Sequence, residues 1–199
     1  MSEAAKKFMN MGIWCTILLF VFRCWIDWSN LSSIVSDHKI AECSYSLYGY
    51  AGEAIGIATI FMTIFNKWLW KSKFFNWLAG GMPVLSKRYK GTITFVWDGK
   101  EQTRDSEIGI EQTFLSVTVK LGTVESSSNS VTASIETINN EKKLVYTYLN
   151  TPKAELQNRS AIHYGTAMLG IDNPDKITGN YYTSRLSRGS MDFSAVPEK

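Results

Sequence analysis

Tyr181, Thr183 and Arg185 occupy alternate positions near the C-terminus. On an extended strand, side chains two residues apart point the same way, so a phenol ring, a hydroxyl and a guanidinium share one face. Guanidinium groups and hydroxyls hold anionic oxygens, and aromatic faces stack on flat rings. Tyr146 and Tyr148, and Thr92 and Thr94, repeat the alternation with hydroxyl-bearing residues. Faces of this composition are either solvent-exposed or line a polar cavity. For Arg185 the competing role is a surface ion pair with Asp192 or a neighbouring glutamate.

Catalytic chemistry has no comparable footing. His163, beside Tyr164, is the one histidine of the C-terminal half, and His38 lies far from it in sequence. A structural or ligand-contacting role suits His163 better than that of a base. No GxSxG, P-loop, CxxC or HExxH pattern occurs. Cys15, Cys24 and Cys43 form neither a disulfide framework nor a zinc pattern. The residues therefore predict a protein that is not an enzyme and that uses no cofactor and no metal.

The elements that must position these residues divide the chain in two. Of 199 residues, the first 88 carry nine Lys/Arg against five Asp/Glu, a net +4, and the remainder carry twelve against thirteen, a net −1. Six of the seven tryptophans fall at or before Trp77. An apolar fraction of 45% excludes disorder. The C-terminal part lacks the basic excess that nucleic-acid binding requires.

Two apolar stretches, residues 8–28 and 48–70, are each close to the ~20 residues needed to cross a bilayer as a helix. Aromatic side chains gather at both boundaries: Trp25, Trp28, Tyr45, Tyr48 and Tyr50 at one, Trp68, Trp70, Phe74, Phe75 and Trp77 at the other. A signal peptide is the rival reading of the first stretch, but Arg23-Cys24-Trp25 supplies no small-residue cleavage site. Lys6 and Lys7 precede the first span, and Lys67, Lys71, Lys73, Lys87, Arg88 and Lys90 follow the second. This bias predicts cytoplasmic termini and a short outer loop over residues 29–47. Gly52 and Gly56, like Ala54 and Ala58, have the spacing that lets helix backbones approach closely. Arg23 and Glu53 lie at matching depths and can meet as a polar seam, the alternative being that each reaches separately toward the headgroups. Residues 71–82 read as a short interfacial helix stopped by Gly80, Gly81 and Pro83, or as a plain linker. The boundaries are thus a hairpin over 1–72, a linker over 73–88 and a second domain over 89–199.

That second domain alternates with period two. Strands are predicted over residues 90–97, 111–121, 130–138, 143–150, 160–169, 177–184 and 190–196, with 103–108 or 122–126 as an eighth. Turns are predicted at Asp98-Gly99, 126–129, Asn139-Asn140, Asn173-Pro174 and Arg188-Gly189. With no helical pattern between them, the strands predict an all-β domain, a sandwich or a small antiparallel up-and-down β-barrel of about 8 strands; the frequency of Thr and Tyr favours the barrel.

A transmembrane two-helix hairpin, an aromatic collar and a small β-barrel, in that order, resemble the β-strand-rich membrane effectors of bacterial cyclic-oligonucleotide antiphage signalling (CBASS). The most specific local feature is Gly179-Asn180-Tyr181-Tyr182-Thr183-Ser184-Arg185 with Gly189 following, which resembles the late-barrel strand of that family. The resemblance implies a chain in the bacterial inner membrane whose cytosolic barrel binds a cyclic dinucleotide made by a partner nucleotidyltransferase (CD-NTase). It implies self-association on binding and disruption of the lipid bilayer by the hairpins, killing the cell before phage mature.

A cyclic dinucleotide carries two phosphate charges and two flat bases, and so requires guanidinium groups, hydroxyls and aromatic faces. Tyr181, Thr183 and Arg185 offer all three. Arg188, Tyr146, Tyr148, Tyr164, His163 and Trp97 are candidates to complete the pocket. The alternatives are a membrane-anchored binding or scaffold module that permeabilises nothing, and a tethered enzyme with dispersed catalytic residues. Arg23, Glu53 and Asn66 favour an active membrane role, since an anchor would be more stable without them.

Overall fold

A computed structural model describes residues 3–97 and 99–197, of Trp97 the backbone alone. The chain forms two compact units, Met1–Gly80 and Gly81–Lys199.

The first unit contains α1 (Glu3–Ile26), α2 (Trp28–Ser36), α3 (Ile40–Lys67) and α4 (Lys73–Leu78). Helices α1 and α3 are long and apolar enough to cross a membrane. At 1.5 Å per residue they extend about 36 and 42 Å, more than a bilayer core of ~30 Å. Buried residues make up none of the most apolar window of α1 and 22% of that of α3, unlike the core helix of a soluble protein. Leu18, Val21 and Trp25 on α1 stand more than half exposed.

The two helices meet along Ala54, Ala58, Met62 and Phe65, a buried stripe with helical spacing. Gly52 and Gly56 do not make this contact. Both have open space where a side chain would stand, because they occupy a face turned away from the Ala54/Ala58 stripe. Arg23 and Glu53 do meet: Arg23 Nε donates to Glu53 Oε2 at 2.8 Å. The guanidinium also lies 4.3 Å from the centre of the Tyr50 ring. The Tyr50 hydroxyl donates to Asp27, so Tyr50 belongs to this polar cluster rather than to an interfacial belt.

Most of the expected outer loop is helical. Residues 29–47 contain neither Gly nor Pro, and serine hydroxyls along it donate back to carbonyls three or four residues earlier. The reversal is confined to Asp37–Lys39, with His38 at φ 59°. The interfacial helix is shorter than the pattern predicts, and its Phe75 turns inward against Phe61 and Phe65, at 6.4 and 6.2 Å between ring centres. Phe74 and Trp77 remain exposed.

The second unit is a closed antiparallel barrel in sequential order: β1 (Arg88–Trp97), β2 (Lys100–Gln112), β3 (Val117–Gly122), β4 (Ser126–Ile138), β5 (Glu141–Pro152), β6 (His163–Gly170), β7 (Lys176–Thr183) and β8 (Arg188–Ala195). Pairing of β1 with β8, from Tyr89 opposite Ala195 to Phe95 opposite Gly189, closes it. The predicted strand over 111–121 is two strands, because the Thr113 hydroxyl and Ser116 bond each other and turn the chain. The remaining half of the pairing comes from β2, which extends well beyond the suspected residues 103–108. The predicted turn at 126–129 is instead the start of β4.

Alternation fills one end of the barrel. Tyr89, Ile108, Leu144, Leu169, Ile177 and Phe193 are fully buried there. Each such side chain contributes about 1.5–3 kcal/mol of burial free energy. A bulge between Ser130 and Thr132 shifts the phase of β4 by one residue. Ser126 and Ser128 before it, and Ala133 and Ile135 after it, therefore all face inward.

Candidate ligand-binding site

The other end of the barrel is open and polar. A cavity of about 350 Å³ lies within it, a volume typical of small-molecule sites. Leu121, Tyr146 and Met191 form its floor, where it meets the core. Its rim consists of the C-terminal ends of odd-numbered strands, the N-terminal ends of even-numbered ones and the connections between them.

Close contact with glycine places the tyrosines. Tyr148 stands opposite Gly165, where a Cβ would lie 2.3 Å from the Tyr148 Cζ atom. Tyr181 stands opposite Gly189, where a Cβ would come 2.7 Å from the ring and 2.2 Å from the Thr94 carbonyl oxygen. Each ring lies over a strand position that only glycine leaves bare. Burial pushes the hydroxyls of Tyr146, Tyr148 and Tyr181 up from their ordinary value, so they are neutral donors at neutral pH. The Tyr146 hydroxyl, at the floor, is buried and bonds no group among the described residues.

Three guanidinium groups occupy the mouth, and their partners are polar residues of the rim. Arg185 Nη1 donates to Ser160 Oγ at 2.6 Å; it does not pair with Asp192, which binds Lys176 at 3.0 Å. Arg104 on β2 lies 5.3 Å from the Phe95 ring centre and donates to Glu125. Arg159, in the β5–β6 connection, donates to the other oxygen of the same carboxylate at 3.0 Å. Partial burial disfavours charge on Glu125, but the two guanidinium groups outweigh it and hold the carboxyl below its ordinary value. Asn150 Nδ2 donates to Ser126 Oγ at 3.1 Å and Ser128 Oγ at 2.8 Å, and Thr183 Oγ1 lies 2.6 Å from Ser187 Oγ.

Of the residues singled out in the sequence, Tyr146, Tyr148, His163, Tyr181, Thr183 and Arg185 converge on this cavity. His163 sits at the rim with Nδ1 2.9 Å from the Ala161 carbonyl oxygen. Arg188 begins β8 opposite Tyr182, is exposed and does not line the cavity. Tyr164 is on the outer face, 57% exposed. Trp97 ends β1 opposite Lys100, and its side chain lies outside the described residues. Thr92 and Thr94 point outward, Thr94 Oγ1 lying 3.3 Å from Thr103 Oγ1. Sequence reasoning missed Arg104, Glu125, Arg159 and Phe95. The signal for Arg104 was its alternation with Ser106, Ile108 and Ile110 on β2.

Comparison with known proteins decides the class. Residues 81–194 match the family model for the Cap15 cyclic dinucleotide receptor domain. The chain belongs to that family. Within the Cap15 family it is similar to CD-NTase-associated protein 15 of Staphylococcus schleiferi, with 31% identity over 137 residues, 69% of this chain and 74% of that protein. The Cap15 match begins at Gly81, the first residue of the barrel unit, and so covers the cavity and the tyrosine–glycine pairs around it.

Proposed function

We propose that the barrel cavity binds a cyclic dinucleotide produced by a partner nucleotidyltransferase, and that this chain is the membrane effector of an antiphage system. One observation carries the reading: Arg104, Arg159 and Arg185 converge on a single mouth beside the aromatic rings of Phe95 and Tyr181. Among the described residues, three guanidinium groups against one carboxylate leave two positive charges, matching the two phosphates of the ligand. Phe95 and Tyr181 supply surfaces for base stacking, and the hydroxyl of Thr183 supplies a polar contact. No cofactor takes part, and the response is one of binding rather than turnover.

The output is assembly followed by membrane damage. In this reading α1 and α3 span the inner membrane with both termini in the cytoplasm, as the lysines at the start of α1 and after α3 favour. Binding brings barrels together, and the raised local concentration of hairpins makes weak helix contacts sufficient. Gly52 and Gly56, turned away from the intrachain seam, provide a close-packing face for that step.

The test uses the full chain in dye-loaded vesicles, with cyclic di-AMP, cyclic di-GMP or cyclic GMP–AMP added outside. Dye release with at least one of these, lost in Arg185→Ala, is expected. Binding without release would leave a membrane-anchored receptor and remove the effector half of the proposal. Release unaffected by Arg185→Ala would remove the cavity as its trigger.

A further inference from the structure

Among the described residues Glu125 is the one carboxylate in the cavity lining, and it lies among the groups best suited to hold phosphate. Its two oxygens are divided between Arg104 and Arg159, which approach from β2 and from the β5–β6 connection. A carboxylate and a phosphate present oxygens to a guanidinium in the same planar, paired manner. Glu125 therefore already forms the contacts that an incoming phosphate would seek. Its position is fixed locally: Glu125 N–H and Ser126 N–H both donate to Thr123 Oγ1, at 3.2 and 3.0 Å. Its carbonyl oxygen accepts from Lys153 N–H at 2.9 Å, joining the β3–β4 turn to the β5–β6 connection. Arg185, by contrast, is held only by the neutral Ser160 hydroxyl among the contacts described.

We propose that Glu125 is a resident anion that occupies the guanidinium groups of Arg104 and Arg159 in the ligand-free barrel, and that a ligand phosphate must replace it there. This rests on the cavity being the cyclic dinucleotide site. It makes the phosphate positions unequal. Arg185 receives the first phosphate without competition, whereas the second must break two existing ion pairs. Glu125 thereby sets the threshold of the sensor: weakly held monoanions are rejected, and a guest with two phosphates at the right separation pays for the exchange. Replacement also releases Arg159 and the β3–β4 turn from each other, so occupancy of the cavity alters the outer rim of the barrel.

The experiment measures affinity of the full chain in detergent for cyclic di-AMP, cyclic di-GMP and cyclic GMP–AMP, comparing wild type with Glu125→Gln, Arg159→Ala and the double variant. Glutamine keeps the shape and removes the charge. Two half-exposed ion pairs of ordinary strength correspond to about tenfold in affinity. Glu125→Gln is expected to bind each ligand that wild type binds about tenfold more tightly. In the Arg159→Ala background that gain should fall to about threefold, since one of the two released groups is absent. A gain of equal size in both backgrounds would show general repulsion and overturn the exchange. Unchanged or weaker binding by Glu125→Gln would overturn it as well, while leaving the cavity as the ligand site. Weakening limited to guanine-containing ligands would make Glu125 a base-reading residue instead. Failure of every protein to bind any of the three would overturn both the site and the exchange.

Discussion

Arg23 and Glu53 lie thirty positions apart in sequence and 2.8 Å apart in space, joining the last turn of α1 to the middle of α3. The pair closes within one chain, so each hairpin carries its own charge compensation. In the proposed membrane-spanning arrangement, removing one partner leaves the other's charge without its ion pair among lipid tails, which is costly. Glu53→Ala and Arg23→Ala should each lower the yield of membrane-inserted protein several-fold. The exchanged pair, Arg23→Glu with Glu53→Arg, should recover most of it. Quantitative blotting of carbonate-washed membranes measures this; failure of the exchanged pair to recover would show that position, not pairing, matters.

Gly189 is the second constraint open to direct test. A methyl group there would come 2.2 Å from the Thr94 carbonyl oxygen, on the strand that closes the barrel, and would also press on Tyr181. Overpacking of this kind costs about 1–3 kcal/mol. Gly189→Ala should lower the melting temperature of the barrel by roughly 5–10 °C. Ligand affinity should fall with it, because the Tyr181 ring loses its seat. Circular dichroism melts and binding isotherms on the same preparation would check both.

Arg185 and Lys176 provide a matched comparison. Both are cations near the ends of β7, but Arg185 lines the cavity whereas Lys176 pairs with Asp192 on the outside of the filled end. Arg185→Ala should weaken cyclic dinucleotide binding by about tenfold or more, the loss of one charge-assisted contact. Arg185→Lys should recover only part, since an ammonium lacks the paired donor geometry. Lys176→Ala should leave affinity within twofold. Calorimetric titration of the three variants is sufficient.

Glu125 gives the mouth a pH dependence with a definite sign. Its folded-state carboxyl is held below the ordinary 4.5 by Arg104 and Arg159. A depressed carboxyl stabilises the fold above its unfolded value, and that contribution disappears as pH falls through the folded value. The stability difference between wild type and Glu125→Gln should therefore be constant from pH 7 to pH 5. Below pH 4.5 it should shrink toward zero, as the protonated acid comes to resemble the amide. Chemical denaturation across that range would reveal a difference that grows instead, if other groups dominated the mouth.

Much of the barrel was legible because its inward positions alternate strictly. On β6, Gly165, Ala167 and Leu169 face inward and Tyr164, Thr166 and Met168 outward. The β2–β3 boundary was not legible, since Thr113-Phe114-Leu115-Ser116 holds no Gly or Pro. It turns through a Thr113–Ser116 side-chain contact that only the folded chain displays. The site was half legible. Tyr181, Thr183 and Arg185 announced themselves by spacing on one strand. Arg104 was hidden among Glu101, Asp105 and Glu107, a run that reads as a solvated face. Arg159 lies in a long connection where period two has no meaning. Glu125 depends on both, so its role could be seen only after strand order had brought three distant segments together. Gly52 and Gly56 carried the right pattern, but Ala54 and Ala58 make the intrachain contact, because spacing alone does not choose which stripe of a helix meets its neighbour.

The register of β1 with β8 has a final consequence. It seals the seam between the first and last strands from Tyr89 to Phe95, so neither offers its amide ladder there to another copy; β4 beyond Asn129, by contrast, is paired with β5 alone. Strand addition between copies is thereby closed at the β1–β8 seam. A union of copies across that seam must be encoded in side chains of the outer wall, where single substitutions can abolish association and leave each barrel intact.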